Sequence, residues 1–396
     1  MPLGIYISVP FCRTKCSYCN FASDVFSRAV FDRYVDRVCA DIASSVNVAE
    51  RIGARIDHDV DSIYLGGGTP TVLDPYQLKR MFDAVRSQFL VTKEAEVTVE
   101  CAPGTLTPRV LEGLLDCVNR VSLGVQSFVD AEAAAVGRLH KRATVLDDIA
   151  RLRAAGITNI NVDLIAGLPH QTAQSWQESL AETIATGVPH VSVYMLEVDE
   201  DSRLGRELIA GGARYHAHFV PDEDATADSY VAACESLEAA GGAQYEISNF
   251  ARPGFESRHN LKYWTRQPYL GFGVDAHSML PSAAGASLAL RFATADVLEK
   301  YIAGAPLQRT VVSAAMALEE SFFLGLRLNR GVDLQDIAAT FGPQSVQSLR
   351  PTIEELVSDG LLQRDADCVR LTARGRLLSN EVFQRFITSA DCAVRT

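Results

Sequence analysis

"VPFCRTKCSYCNF", residues 9 to 21, places three cysteines, Cys12, Cys16 and Cys19, within eight positions. Thiolate sulfur is a soft ligand suited to iron–sulfur clusters, zinc or cuprous copper. A structural zinc ion takes four ligands, and here Asn20 and Phe21 follow Cys19, so a nearby fourth thiol is missing. A 4Fe–4S cubane usually takes four thiolates; three leave one iron open, and an open iron is a functional position. A chance cluster and a zinc site completed by a distant histidine are the competing readings. Cys39, Cys101, Cys117, Cys234, Cys368 and Cys392 are scattered singly, for nine cysteines in all. An odd total without an export signal argues against a disulfide framework. Those six read as buried thiols acting as small apolar residues.

The loop follows an apolar run, "LGIYISV" (3–9), and that run begins a rhythm. Further β-branched runs occur at 62–67, 95–101, 120–125, 159–165 and 190–196, separated by helical candidates at 28–50, 75–89, 107–116, 144–155 and 174–186. "DPYQLKRMFDAVRSQF" (74–89) opens with an Asp cap and a first-turn proline, then carries apolar residues at helical spacing. Strand–helix alternation predicts a parallel sheet with crossover helices. Six units are too few for an eight-unit barrel; an open, partial barrel fits better than a doubly wound sheet, although the pattern alone separates neither. After residue 200 the rhythm fades. A helix over 225–240 leads to a Gly-, Pro- and aromatic-rich stretch (253–281) and "PSAAGAS" (281–287), a surface loop. From about 313 come short helices at 314–328, 333–341 and 345–359, a hairpin in "GLLQRDADCVRLT", and a last helix over 373–387. That layout is winged-helix-like.

The 396 residues are 47% apolar and 22% charged, with a formal net charge of −12. Two or three domains are expected. An acidic chain is repelled by phosphate backbones, which makes nucleic acid a poor partner. The one helix placed to read DNA, "SVQSLRPTIEELVSD", sets Arg350 against Glu354, Glu355 and Asp359. No apolar run is long enough to cross a membrane. The N-terminus has no basic region ahead of its apolar residues, so no signal peptide and a cytoplasmic protein are expected.

Polar residues close successive runs: "GGGTP" (66–70) the second, Glu100 the third, Gln126 the fourth and Asp163 the fifth. Each singly is a rim residue or a turn. Together they place partners for amino, carboxylate and ribose groups at one end of the strands, the end where a βα barrel keeps its active site. Glycines there let backbone approach a ligand closely. Arg138, in "VGRLHKR", either pairs with a carboxylate through its planar fork or is a solvated helix end.

The spacing C-x3-C-x2-C with Tyr18 inside it matches the signature of the radical S-adenosylmethionine (SAM) superfamily. The resemblance implies a partial (β/α)6 barrel, a 4Fe–4S cluster on Cys12, Cys16 and Cys19, and SAM bound through the open iron, with an electron passed to its sulfonium. The order and setting of the motifs further resemble the oxygen-independent coproporphyrinogen oxidase family over nearly the whole chain. That likeness makes Tyr6, Gly67, Gly68, Thr69, Glu100, Gln126, Arg138 and Asp163 the SAM contacts, with Tyr18 beside them. It divides the chain into a core barrel (1–245), a connecting segment (246–310) and a winged-helix-like domain (311–390).

Two subgroups share this framework. The oxidases, which decarboxylate two propionates of coproporphyrinogen, carry an additional cysteine two positions after the third and an N-terminal extension. Here Phe21 stands at that position and eleven residues precede Cys12. The heme-chaperone (HemW) subgroup is similar in its "CNF" ending, in "YEISNFARPGFESRHNLKYW" (245–264) and in "YLGFGVDAHS" (269–278). This second resemblance implies a protein that binds heme and passes it to an acceptor, with an electron donor such as flavodoxin or ferredoxin; oxidase activity is the alternative. His259 is either a heme ligand, since neutral imidazole binds heme iron, or a histidine hydrogen-bonded in a packed turn beside Tyr263 and Trp264. His277 is a second candidate. The two aromatics would line a macrocycle pocket or belong to the core.

Overall fold

The computed structural model describes residues 1–285 and 289–387. Cys392, the end of "PSAAGAS" and the last residues assigned to the winged-helix-like domain lie outside them. Six parallel strands come first: β1 (Leu3–Val9), β2 (Asp59–Gly67), β3 (Leu90–Cys101), β4 (Arg120–Gln126), β5 (Asn159–Ala166) and β6 (His190–Met195). Helices α1 (Phe31–Ile52), α2 (Pro75–Gln88), α3 (Pro108–Leu114), α4 (Asp130–Ala135), α5 (Arg142–Ala154) and α6 (Ala173–Thr186) cross between them. The local signals act as expected. Asp74 and Gln77 form a reciprocal cap on α2 with Pro75 at its first position. Thr172 and Ser175 do the same for α6.

These strands alternate over most of their length. Ile5, Ile7, Ile63, Leu65, Val97, Val99, Val121, Leu123, Ile160, Val162, Val191 and Val193 are buried in one continuous apolar core with residues of the crossover helices, such as Val38, Leu78 and Leu180. Each such side chain contributes about 1.5–3 kcal/mol on burial. The register keeps the other face in step: Tyr6 beside Tyr64, Tyr64 beside Thr98, Thr98 beside Arg120, and Glu100 beside Ser122 and then Asn161. A parallel strand covered on both faces is ordinarily apolar throughout. Here the second face is polar and lines a lumen.

The chain after residue 200 departs from the sequence reading. Beyond α7 (Arg203–Ala210) and α8 (Glu223–Ala239), short strands extend the sheet on both flanks. β7 (Ala243–Gln244) and β8 (Asn249–Ala251) add antiparallel beside β6. Past α9 (Arg258–Trp264), β9 (Tyr269–Gly273) pairs parallel with β1, followed by β10 (His277–Pro281), β11 (Ala289–Ala293) and, past α10 (Leu298–Ile302), β12 (Gln308–Val312). The result is one twelve-stranded open sheet whose edges are β12 and β7. The Gly-rich composition hid these strands for a steric reason. A Cβ on Gly271 would meet the His277 carbonyl oxygen at 2.2 Å, and one on Gly273 the Ser8 carbonyl oxygen at 2.3 Å. Glycine is needed where backbones approach that closely, and it weakens the strand signal.

α9 plugs the lumen at the end opposite the cysteines. Ser257 caps the helix, and Glu96 accepts from the amides of Arg258 and His259. Lys262 pairs with Asp61 at 2.7 Å and donates to the Pro2 carbonyl. His259 lies with Nδ1 3.0 Å from Ser62 Oγ and Nε2 2.9 Å from Tyr263 Oη. The C-terminal helices α11 (Ala314–Gly325), α12 (Leu334–Phe341), α13 (Pro343–Ser358), α14 (Ala373–Leu377) and α15 (Ser379–Gln384) surround a small sheet of β13 (Val332–Asp333), β14 (Leu362–Asp365) and β15 (Cys368–Leu371). This module has its own core, with Phe322 stacked on Phe386 at 4.8 Å. Buried Glu320 holds it to the barrel by accepting from Arg266 and Arg291. No described helix is long and apolar enough to cross a membrane.

Burial, Lys262 and Arg120 lower the His259 pKa from 6.5 to about 3. Unfolding therefore takes up a proton between those pH values, and stability falls as pH falls, by about 1.4 kcal/mol per pH unit. Urea unfolding of the wild type and His259→Gln from pH 6.5 to 4 should show the wild type losing stability more steeply by that increment. Equal pH slopes would contradict the buried neutral imidazole.

Candidate functional site

The loop after β1 is tied down by its backbone. Cys12 N–H donates to the Asp24 carbonyl and Asp24 N–H to the Pro10 carbonyl, closing the loop at its base. Lys15 Nζ donates to the Phe21 and Ser23 carbonyls at 2.6 and 2.7 Å. Ser17 N–H reaches the Val136 carbonyl, and Leu204 N–H of α7 reaches the Ser17 carbonyl. So fixed, the loop presents Cys12, Cys16 and Cys19 to one cavity of about 540 Å³ at the C-terminal end of the strands. Burial raises the Cys12 pKa. Among the described residues no three His, Cys, Asp or Glu side chains converge on a single metal position. A zinc ion needs such convergence, whereas a cubane carries its thiolates on separate irons.

The glycine run brings the end of β2 against this loop. Gly68 N–H donates to the Val9 carbonyl and Thr69 N–H to the Phe11 carbonyl, both at 2.7 Å. A Cβ on Gly68 would lie 2.7 Å from the Phe11 carbonyl oxygen and 3.0 Å from Cys12 Sγ. Gly67, with φ 98°, turns its amide to Glu100 Oε2 at 3.1 Å. Tyr64 Oη donates to the other Glu100 oxygen at 2.9 Å. Burial, and then the neighbouring Asp163, push the Glu100 carboxyl up to about 7. Asp163 itself accepts from Ser122 Oγ and Asn161 Nδ2, and burial raises its pKa too.

Gln126 and Arg138 complete the wall. A bulge separates Gly124 from Gln126 on β4, and Gln126 sits in the left-handed region at φ 69°. Such backbone is costly for a residue with a side chain and persists where the surroundings impose it. The Gln126 Oε1 and Arg138 Nε atoms are buried without a hydrogen-bond partner. A Cβ on Gly124 would meet Arg138 Nη2 at 2.8 Å, so glycine there makes room for the guanidinium. Burial opposes the charge of Arg138, while Tyr18, Cys16 and Asp163 favour it and prevail. Tyr18 packs against Val136, Ile165 and Leu168. Orphaned donor and acceptor atoms beside two carboxyls match a ligand bearing ammonium, carboxylate and hydroxyl groups, and SAM is one.

Eleven of the residues singled out from sequence line this cavity: the three cysteines, Tyr18, Gly67, Gly68, Thr69, Glu100, Gln126, Arg138 and Asp163. Tyr6 is outside this lining, beside Tyr64 on the neighbouring strand with ring centroids 6.1 Å apart. His259 lies below, 1% exposed with both ring nitrogens engaged, as in the packed-turn reading. His277 is exposed on β10, 3.7 Å from Asp275. Sequence reading missed Tyr64, Arg120, Ser122, Asn161, Ser192 and Tyr194, which also line the cavity. The available signal was the polar alternation in "RVSLGVQ", "NINVD" and "HVSVY", which was read only at the strand ends.

Comparison with known proteins gives the same picture. The family model described as the radical SAM superfamily matches residues 6–182, and that of the HemN C-terminal domain matches 312–378. The structure resembles that of the radical SAM enzyme coproporphyrinogen III oxidase from Escherichia coli, with TM-score 0.82 and 24% identity over 98% of this chain and 90% of that one. At that identity the likeness establishes the fold. Relatives named heme chaperone HemW are 33% identical in Lactococcus lactis (98% of this chain, 97% of the relative), 34% in Bacillus subtilis (96% and 98%) and 31% in Escherichia coli (98% of each). Related along almost its whole length to these proteins, and built on the radical SAM fold, the chain belongs to the HemW family of radical SAM proteins.

Proposed function

We propose that the protein is a heme chaperone, which binds heme and passes it to an acceptor protein while carrying a 4Fe–4S cluster and SAM. The full-length relationship to chains named heme chaperone HemW carries this reading. Cys12, Cys16 and Cys19 hold the cluster. When bound, the cluster supplies an electron and one iron position open to SAM. Glu100 and Asp163 receive the ammonium and hydroxyl groups of SAM, Arg138 its carboxylate, and Gly67, Gly68 and Thr69 the backbone edge. Gln126 offers its unpartnered carbonyl to the same ligand. Tyr18 stands beside the loop, and Tyr6 supports the wall through Tyr64. Heme is cargo. Ligation of its iron by His259 would first break the contacts with Ser62 and Tyr263. The chain divides into a barrel (1–245), a connecting segment (246–310) that adds strands to the sheet, and a C-terminal module (311–390). It works in the cytoplasm and takes its electron from a flavodoxin- or ferredoxin-type donor.

The oxidase reading draws on the likeness to coproporphyrinogen III oxidase, a likeness of fold. Exposed Phe21 stands where the oxidases resemble one another in carrying an additional cysteine.

Anaerobic reconstitution should load about four irons per chain, and replacing Cys12, Cys16 or Cys19 by alanine should abolish that loading. Stoichiometric zinc with no iron uptake contradicts the cluster. SAM is cationic, so it favours ionised Glu100. Below pH 7 its affinity should fall by about tenfold per pH unit. Equilibrium dialysis from pH 5.5 to 8 should show this for the wild type, and Glu100→Gln should bind weakly with that dependence gone. An unchanged pH profile in the variant contradicts the assignment. Heme titration read at the Soret band should saturate, while coproporphyrinogen incubated anaerobically with the loaded protein, SAM and reductant should be recovered intact. Efficient decarboxylation makes the protein an oxidase.

A further inference from the structure

Arg120 opens β4 on the lumen face, level with Thr98 and Asn159 and below the row of Glu100, Ser122 and Asn161. It is 2% exposed, yet it lines the cavity. Its Nε is buried without a partner, and among the described residues its guanidinium makes no ion pair. Several buried ionic groups nearby are paired. Lys262 has Asp61, Glu320 has Arg266 and Arg291, and Glu246 has Arg327. A guanidinium held out of water without a hydrogen-bonded acid is costly; Glu100 and Asp163 act on this one only through space. Strand order places this charge deeper in the lumen than the cysteine loop. The same cavity is lined by Asn260 of α9, by Ser248 and by Arg327, whose Nε is also unpartnered. Arg327 is otherwise engaged, 3.7 Å from Glu246 and 4.3 Å over the Trp264 ring. Arg138, nearer the mouth, is also unpaired and is assigned to SAM above; Arg120 is the unpaired cation deeper in the lumen.

We infer that the deep half of the lumen is a carboxylate-binding site anchored by Arg120, with Asn260 of α9 as a neutral hydrogen-bonding partner. The planar guanidinium fork suits a carboxylate. Heme carries carboxylates in its two propionates, whereas the carboxylate of SAM is assigned to Arg138 above. The site therefore rests on the heme reading.

The test uses the full chain with its cluster reconstituted, as wild type, Arg120→Met and Arg120→Lys. Hemin is titrated beside hemin dimethyl ester, whose propionates are blocked, and bound SAM per chain is counted by equilibrium dialysis. The wild type should prefer hemin over the ester by at least about tenfold, Arg120→Met should lose that preference, and Arg120→Lys should keep part of it. The melting temperature of each variant without ligand shows whether the substitution disturbs the fold, since Arg120 also acts on Glu100 and Asp163. An unchanged hemin preference with reduced SAM affinity in Arg120→Met shows that Arg120 acts on Glu100 and Asp163 alone and overturns the inference. Unchanged binding of both ligands, with Arg120→Met melting lower, makes Arg120 structural and overturns the inference. If Arg120→Met does not fold, Arg120→Lys decides by the same titrations, wild-type behaviour toward both ligands overturning the site. Should the wild type bind hemin and its dimethyl ester alike, the chaperone reading stands and the carboxylate site fails; should it bind neither, both fail.

Discussion

Two backbone hydrogen bonds govern the mouth of the barrel: Gly68 N–H to the Val9 carbonyl and Thr69 N–H to the Phe11 carbonyl. They continue the β1–β2 ladder beyond the last strand pair and clamp the start of the cysteine loop onto the glycine run. Nothing larger than glycine fits at 68, because a Cβ would press on the Phe11 carbonyl and on Cys12 Sγ. The cysteines reach the cavity wall because this clamp sets where the loop leaves the sheet. Glu100 is placed by the same element, through the amide of Gly67. The sulfur ligands and the carboxyl proposed for SAM are thus positioned by one stretch of five residues.

The lumen carries the opposite problem. A half-barrel with a polar inner face must satisfy each buried group or leave it for a ligand, since an unmade hydrogen bond costs about 1–3 kcal/mol. Much of the lining is satisfied internally. Asn161 bonds Ser122, Asp163 and Ser192, and lies 2.6 Å from His190 Nδ1. Unpartnered atoms on the cavity wall include those of Gln126, Arg138, Arg120 and Arg327. Glu100, raised to about 7 by burial and by Asp163, belongs with them. A site that is incomplete in this way is less stable empty than it could be, and ligand binding offsets the deficit.

The parts of this arrangement with local causes were legible in the sequence. The Asp74 cap, the first-turn proline and the apolar periodicity predict α2, and β-branched runs predict the six parallel strands. The cysteine spacing and polar strand ends predicted most of the cavity wall. The strands flanking the barrel were hidden because Gly271 and Gly273 serve close backbone contact and remove the signature of a strand. Arg120 was hidden because its role depends on the register of four strands, and register is a long-range property. Tyr6 lies on the lumen face beside Tyr64 but outside the cavity lining, and His259 is enclosed by Ser62 and Tyr263 beneath the lumen.

The central claim is that three thiolates leave one iron of the cubane free for SAM. Mössbauer spectroscopy of the protein reconstituted anaerobically with 57Fe, recorded before and after adding SAM, tests this most directly. A single iron subsite should shift on addition of SAM while the other three keep their parameters. Four irons indifferent to SAM, or a chain that holds no cubane, would contradict the account.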